Sequence, residues 1–202
     1  MAVINKLRCR KKIQAKRSLY LSALDLFREH GYANTKIEMI ALAANQSRTT
    51  FFNYFSLKEE ILFKINDNAL KFIARAIRTI QAESSSYREA FFRLLSIIAG
   101  ELKRDKRLYA GVFQDIMLLE VSSDLKKRKR GISRICIPLA TFFKEGRSCG
   151  EFEFKEKPFE LSQLFFGMLF SVSLNYVYSV NQNVYSKFKT MGDLFLRGIE
   201  NR

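Results

Sequence analysis

Two prolines and nine glycines are all that punctuate a chain of 202 residues. Sheet sandwiches and loop-rich enzymes need more turn-forming residues than that, so the chain is confined to long helices with short connections. Hydrophobic residues make up 48% and charged residues 27%, which supplies a buried core and excludes a disordered tail. Cys9, Cys136 and Cys149 are too few and too scattered for a disulfide framework, and they lack zinc spacing. Their reduced state points to a cytoplasmic location. The basic N-terminus is followed by no apolar stretch, so no secretory leader is expected.

The charge balance narrows the partners. Lys and Arg number 35 against 20 Asp and Glu, a net charge of +15. Such a field attracts polyanions: nucleic acid, an anionic membrane surface or an acidic ligand. One stretch, between Glu160 and Lys187, holds no charge at all. A membrane-spanning helix needs roughly 20 mostly apolar residues. This stretch is interrupted by serines, asparagines and glutamines, and Leu161, Leu164, Phe165, Met168, Leu169, Val172 and Tyr176 recur at helical spacing. It reads as a helix buried on more than one side in a subunit interface, and no membrane span is expected.

Residues 1–17 form a basic arm without a carboxylate. It is either a solvated terminus or a contact to phosphates or the minor groove. From Ser18 the spacing predicts a helix, with Leu19, Ala23, Leu26 and Phe27 on one face and Gly31 as a left-handed stop. Thr35 is expected at an N-cap with Glu38 at capping-box spacing, opening a helix barely two turns long. Asn45-Gln46-Ser47 makes a turn, and a third short helix runs from about Arg48 to Phe55. Further helices are predicted over about 58–82, 87–103, 106–121, 124–147, 158–180 and 184–200. The only hint of β-structure, Phe152–Phe154, reads as a packed loop.

Two short helices joined by a tight turn beside a basic arm have the form of a helix-turn-helix, whose second helix enters the major groove. Arg48 suits guanine, Asn53 suits adenine, and the methyls of Thr49 and Thr50 suit thymine. Tyr54 and Lys58 carry groups suited to phosphates, as does Thr35 at a helix start. Lys36, Ser47 and Phe52 complete the candidate DNA-contact set. Phe51 and Phe55, four residues apart, would anchor the recognition helix.

These residues also carry a resemblance. Ala23-x-x-x-Phe27-x-x-x-Gly31-Tyr32, Thr35, Ile40-Ala41-x-x-Ala44, Ser47 through Phe55, and Lys58-Glu59 follow in order over about 45 residues. Together they resemble the DNA-binding domain of the TetR family of bacterial transcriptional regulators. Gly146-x-x-x-Gly150-Glu151-Phe152 followed by Pro158 resembles the loop before that family's penultimate helices. Two departures stand out. Phe52 takes the place of a frequent Tyr and so loses a hydroxyl, leaving it to pack on sugar or a thymine methyl. Asn45-Gln46 takes the place of a Gly-aliphatic pair, and Asn tolerates the left-handed backbone such a turn requires.

The resemblance implies an all-α fold: an N-terminal three-helix helix-turn-helix domain (1–57) and a larger C-terminal helical domain for effector binding and dimerisation (58–202). It implies a homodimer through the last two helices and a near-palindromic double-stranded operator. Thr35, Tyr54 and Lys58 would contact phosphates, and Arg48, Thr49, Thr50 and Asn53 would face bases. A pocket in each C-terminal domain would bind a small effector and release the repressor from DNA.

Nineteen phenylalanines favour a hydrophobic or aromatic effector. Tyr109, Phe113, Gln114, Met117, Phe166, Phe170 and Asn175 are the pocket candidates, combining apolar walls with a few polar groups. Lys126 through Arg130 is a run of five cations. It is either a solvated helix surface or a rim for an anionic effector such as an acyl-CoA phosphate, or an auxiliary DNA contact.

One histidine, His30, sits at a helix end, and there is no phosphate loop, dinucleotide fingerprint or catalytic triad spacing. No enzyme, metal or cofactor is expected. The alternatives are an activator, a regulator without a ligand, or a basic lipid-carrier or membrane-surface protein.

Overall fold

A computed structural model describes the backbone of residues 2–119, 125–180 and 182–199, and the side chains of these except for 2–8, 115–119 and 125–134. Among the described residues there are nine helices: α1 Ala2–His30, α2 Ile37–Ala43, α3 Arg48–Phe52, α4 Glu59–Glu83, α5 Tyr87–Arg104, α6 Lys106–Leu119, α7 Leu125–Ser148, α8 Pro158–Tyr178 and α9 Val184–Leu196. The fold is all-α, with an N-terminal helix-turn-helix and further helices after it. Phe152 makes an isolated bridge rather than a strand, and Glu153 beside it donates its N–H to the Ile199 carbonyl at 2.6 Å.

Two compact units result. The first comprises Met1–Asn66 with Arg107–Leu118 and the second Asp67–Lys106 with Leu119–Arg202. This differs from a division at residue 57, for a packing reason. Ile61, Leu62 and Ile65 of α4, and Leu108 and Val112 of α6, fill the same core as Leu19, Ala23, Phe27, Ile40, Phe51 and Phe55. Burying a side chain of this size stabilises by roughly 1.5–3 kcal/mol. Gly111 brings α6 close: a Cβ there would lie 2.8 Å from the Tyr32 Cβ.

The first helix begins well before Ser18. No Gly or Pro occurs in residues 1–30, and Lys, Arg, Gln and Ala are strong helix formers, so the basic arm continues α1 back to Ala2. Gly31 ends it at φ +81°, donating its N–H to Phe27 at 3.0 Å. The link from α2 to α3 is a Schellman turn. Asn45 takes the left-handed position at φ +52°. Its N–H reaches the Leu42 carbonyl at 3.0 Å, and that of Gln46 reaches Ala41 at 2.9 Å.

The second unit closes around aromatic rings. Phe91 of α5, Phe143 of α7, Phe165 of α8 and Phe195 of α9 lie with centroids 5.0–6.5 Å apart, in edge, tilted and stacked pairs. Gly192 lets α9 approach α5, because a Cβ there would meet Leu95 Cδ1 at 2.7 Å. The buried serines of the charge-free stretch are satisfied within α8: Ser162 donates to Phe159 at 2.6 Å and Ser173 to Leu169 at 2.7 Å. Among the described residues, no helix is long and apolar enough to cross a membrane.

Candidate nucleic-acid interface

Five residues are too few to hold a helix by propensity alone. The third helix is held by its surroundings. Ser47 caps it, its Oγ accepting the Thr50 N–H at 3.0 Å and lying 2.9 Å from Thr50 Oγ1. Phe51 is fully buried and Phe55 nearly so, with ring centroids 5.6 Å apart. With that side fixed, Arg48, Thr49, Phe52 and Asn53 face outward, Thr50 is half-buried, and Tyr54 packs its ring against the core.

Arg48 is not loose on this surface. Its Nη1 lies 3.1 Å from Glu38 Oε1, and its guanidinium sits 5.6 Å from the centre of the Phe52 ring. Glu38 is thus an ion-pair partner of Arg48, which capping-box spacing did not suggest. Lys36, exposed, occupies the N-cap position of α2 and makes no side-chain cap.

Two expected phosphate contacts are turned inward. Thr35 is not an N-cap: it is 1% exposed, its Oγ1 donates to the Gly31 carbonyl at 2.8 Å, and its N–H is donated to Tyr32 at 3.2 Å. Both of its donors are spent closing the turn between α1 and α2. Lys58 likewise points its ammonium into that turn, reaching the carbonyls of Tyr32 at 2.8 Å and Thr35 at 2.7 Å. The ammonium also lies 4.1 Å from the centre of the Tyr32 ring. Burial holds the Lys58 pKa below its ordinary value, against the pull of nearby Glu59. Tyr32 adds a second tie through its hydroxyl, which donates to Glu59 Oε1 at 2.7 Å. Tyr32, Lys58 and Glu59 thus join the start of α4 to the turn that positions α2. The Lys58-Glu59 dipeptide was visible in the sequence, but nothing local told that its lysine faces in.

The expected effector residues fall in two units. In the first, Tyr109 is half-buried and Phe113 buried, with ring centroids 6.4 Å apart, and Gln114 is exposed. In the second, Phe166 and Phe170 are half-buried at 6.4 Å, and exposed Asn175 donates its amide to the Ser171 carbonyl of its own helix at 3.0 Å. The side chains of Met117 and of the basic run at 126–130 lie outside the described residues. The second unit holds a cleft of about 400 Å³ between α5 and α9. Its apolar wall is Phe92, Leu95 and Phe188, and its rim includes Arg88, Lys189 and Asp193. It is assembled from helices some hundred residues apart, so no local pattern announced it.

Comparison with known proteins agrees with this geometry. Residues 19–65 match the family model of bacterial regulatory proteins, tetR family. No curated protein matches the chain in sequence. Among solved structures, a TetR family transcriptional repressor, FadR of Thermus thermophilus in complex with lauroyl-CoA, is 22% identical with a TM-score of 0.74, covering 93% of this chain and 96% of that one. FadR of Bacillus subtilis in complex with stearoyl-CoA is 22% identical with a TM-score of 0.71, covering 91% and 99%. SmeT, repressor of the Stenotrophomonas maltophilia multidrug efflux pump SmeDEF, is 18% identical with a TM-score of 0.68, covering 92% and 90%.

Proposed function

We propose that this chain, which carries the TetR-family helix-turn-helix domain and the TetR-like fold, is a sequence-specific transcriptional regulator that represses from a near-palindromic operator and releases it on binding a small effector. The observation that carries the reading is the recognition helix: capped by Ser47, anchored by Phe51 and Phe55, and presenting Arg48, Thr49, Phe52 and Asn53 outward. In the major groove, Arg48 would pair with guanine and Asn53 with adenine. Thr49, Thr50 and Phe52 would pack on thymine methyls or sugar. Lys36, Ser47 and Tyr54 would hold phosphates, and Thr35 and Lys58 would act by positioning these groups.

A two-fold operator needs a two-fold protein, and the last two helices favour one. Leu164, Met168 and Tyr178 of α8, and Tyr185 and Leu194 of α9, are large apolar side chains left at the surface, with Leu164 62% exposed. Such a surface suits a homodimer interface. The effector would be a small hydrophobic or aromatic molecule, with the cations at 126–130 suited to an anionic head. It would act by binding the DNA-free conformation more tightly, and operator would weaken effector binding by the same factor. The site of action would be the cytoplasm, where the operator lies.

Selection from a random duplex library, with purified protein near physiological salt, tests the reading. The expected result is a two-fold symmetric site whose preference is lost in the Arg48→Ala, Asn53→Ala double variant. Salt-sensitive binding with no preferred sequence would refute it. Tight binding to anionic vesicles alongside that result would point to the lipid-surface alternative.

A further inference from the structure

The basic arm is built as a rod. Residues 1–17 contain Lys6, Arg8, Arg10, Lys11, Lys12, Lys16 and Arg17 and no carboxylate, so they hold +7 of the net +15. They are helical from Ala2 onward, and the first buried side chain among the described residues of α1 is Leu19. Residues 2–17 therefore make about 24 Å of helix, at 1.5 Å per residue, and none of its described side chains, 9–17, is buried. Arg10, Lys11, Lys12, Lys16 and Arg17 are all exposed. Five of the seven cations are thus held on a solvated helix.

Two contacts fix where this rod is rooted. Ser18 Oγ donates to the carbonyl of Ala44 at 3.3 Å, just before the turn into α3. Lys16 Nζ lies 5.3 Å from the centre of the ring of Phe55, just after α3. The extension leaves the domain beside both ends of the recognition helix. Helical spacing then orients its charges. Lys12, Lys16, Leu19 and Ala23 follow at i, i+4, i+7 and i+11, one stripe of α1. Leu19 and Ala23 are fully buried against the helix-turn-helix, so Lys12 and Lys16 continue that stripe on the same side. Arg10, Lys11 and Arg17 fall on other sides.

We propose that the extended first helix is a second DNA-contact element, which lays Lys12 and Lys16 along the phosphates flanking the base pairs read by α3. The inference rests on the operator reading above. Over residues 9–17 a duplex suits this surface better than a bilayer does. A membrane-surface helix needs a continuous apolar face, and within residues 9–17 Ile13 is the one large exposed apolar side chain. The extension reads no bases. It lengthens the footprint and adds salt-dependent affinity on the same sequence.

The test compares two charge-matched double variants of the full-length protein on the selected site. Lys12→Gln with Lys16→Gln alters the stripe, and Arg10→Gln with Lys11→Gln alters the other sides. Glutamine preserves helix propensity. The measurement is the slope of log Kobs against log salt, with the footprint on a long duplex. The stripe pair should flatten the slope by about 1.8 per protomer, at roughly 0.9 per phosphate contact. It should also shorten the footprint and leave base preference unchanged, while the other pair changes the slope clearly less. Equal slope changes from the two pairs would mean a general field and overturn the proposal, as would no change from the stripe pair. If the wild-type protein selects no site, the operator reading falls and this proposal with it. If it selects a site that the stripe pair binds as the wild type does, the proposal alone falls.

Discussion

Replacing Lys58 by Met separates a positioning role from a phosphate contact. The ammonium donates to the Tyr32 and Thr35 carbonyls at 2.8 and 2.7 Å and lies over the Tyr32 ring. A hydrogen bond from a charged group contributes about 1.5–3 kcal/mol net. Desolvation of the half-buried ammonium offsets part of the pair's sum, and methionine keeps the apolar stem packed. Because the same desolvation lowers the Lys58 pKa, the expected loss is only about 1 kcal/mol in the unfolding free energy, read from urea denaturation followed by helical circular dichroism. The salt slope of operator binding should stay near that of the wild type, since no phosphate contact is removed. pH supplies a further check. Burial depresses the folded-state pKa of Lys58. Between that value and the ordinary one the unfolded chain holds a proton the folded chain has released, so this group's contribution to stability rises with pH across that window. The wild type should gain on the Met variant there. A variant as stable as the wild type, with a slope flatter by about 0.9 per protomer, would refute the reasoning and restore the phosphate role.

Three other contacts set further expectations. Ser47→Ala removes the hydroxyl that accepts the Thr50 N–H at 3.0 Å, so stability should fall by about 1 kcal/mol; an unchanged denaturation midpoint would show the cap to be idle. Gly192→Val puts a branched side chain where a Cβ already meets Leu95 Cδ1 at 2.7 Å and Phe92 Cε1 at 3.0 Å. Overpacking of this kind costs about 1–3 kcal/mol, and a melting temperature equal to wild type would mean that α5 and α9 are not closely packed. Cys9 and Cys149 are exposed, whereas Cys136 is buried and its thiol pKa is pushed up by that burial. A maleimide should label the first two in the folded protein and Cys136 only after denaturation; rapid labelling of all three would contradict the packing around α7.

What the sequence made legible was local chemistry. Gly31 announces a left-handed stop because only glycine enters that region freely, and the turn has it at φ +81°. Asn45 could be read the same way, and its side chain tolerates φ +52°. Phe51 and Phe55 declare a buried face by spacing alone. What stayed hidden depends on partners distant in the chain. Thr35 has the composition of a cap, yet its hydroxyl goes to Gly31 and the capping position passes to Lys36. Lys58 has the composition of a phosphate contact, yet carbonyls 26 and 23 residues earlier take its protons. The place of α6 in the first unit is invisible for the same reason, since Leu108 and Val112 meet their core partners only after folding. The extension of α1 is a different kind of miss. The cations read as a basic arm ahead of a helix from Ser18, but the absence of any helix breaker before Gly31 already argues for a continuous helix.

The recognition helix divides its labour in a way that sets what mutation can do to it. The groups that hold it are Asn45 in the turn, the Ser47 cap and the two buried rings. The groups that face out are Arg48, Thr49, Phe52 and Asn53. These sets overlap only at Ser47, which caps the helix and would also hold a phosphate, and in the Arg48 pair with Glu38 at 3.1 Å, in which both side chains are more than half exposed. An exposed pair contributes roughly 0–1 kcal/mol. Arg48→Ala should therefore leave stability within about 0.5 kcal/mol while relaxing base preference at one operator position by about 1–3 kcal/mol. Phe51→Ala should do the reverse, lowering stability by about 3–5 kcal/mol. At a temperature where the variant remains folded, it should still favour the same base pairs. Loss of stability in Arg48→Ala comparable to that in Phe51→Ala would mean that reading and holding are one function, and that operator specificity could not change without cost to the fold.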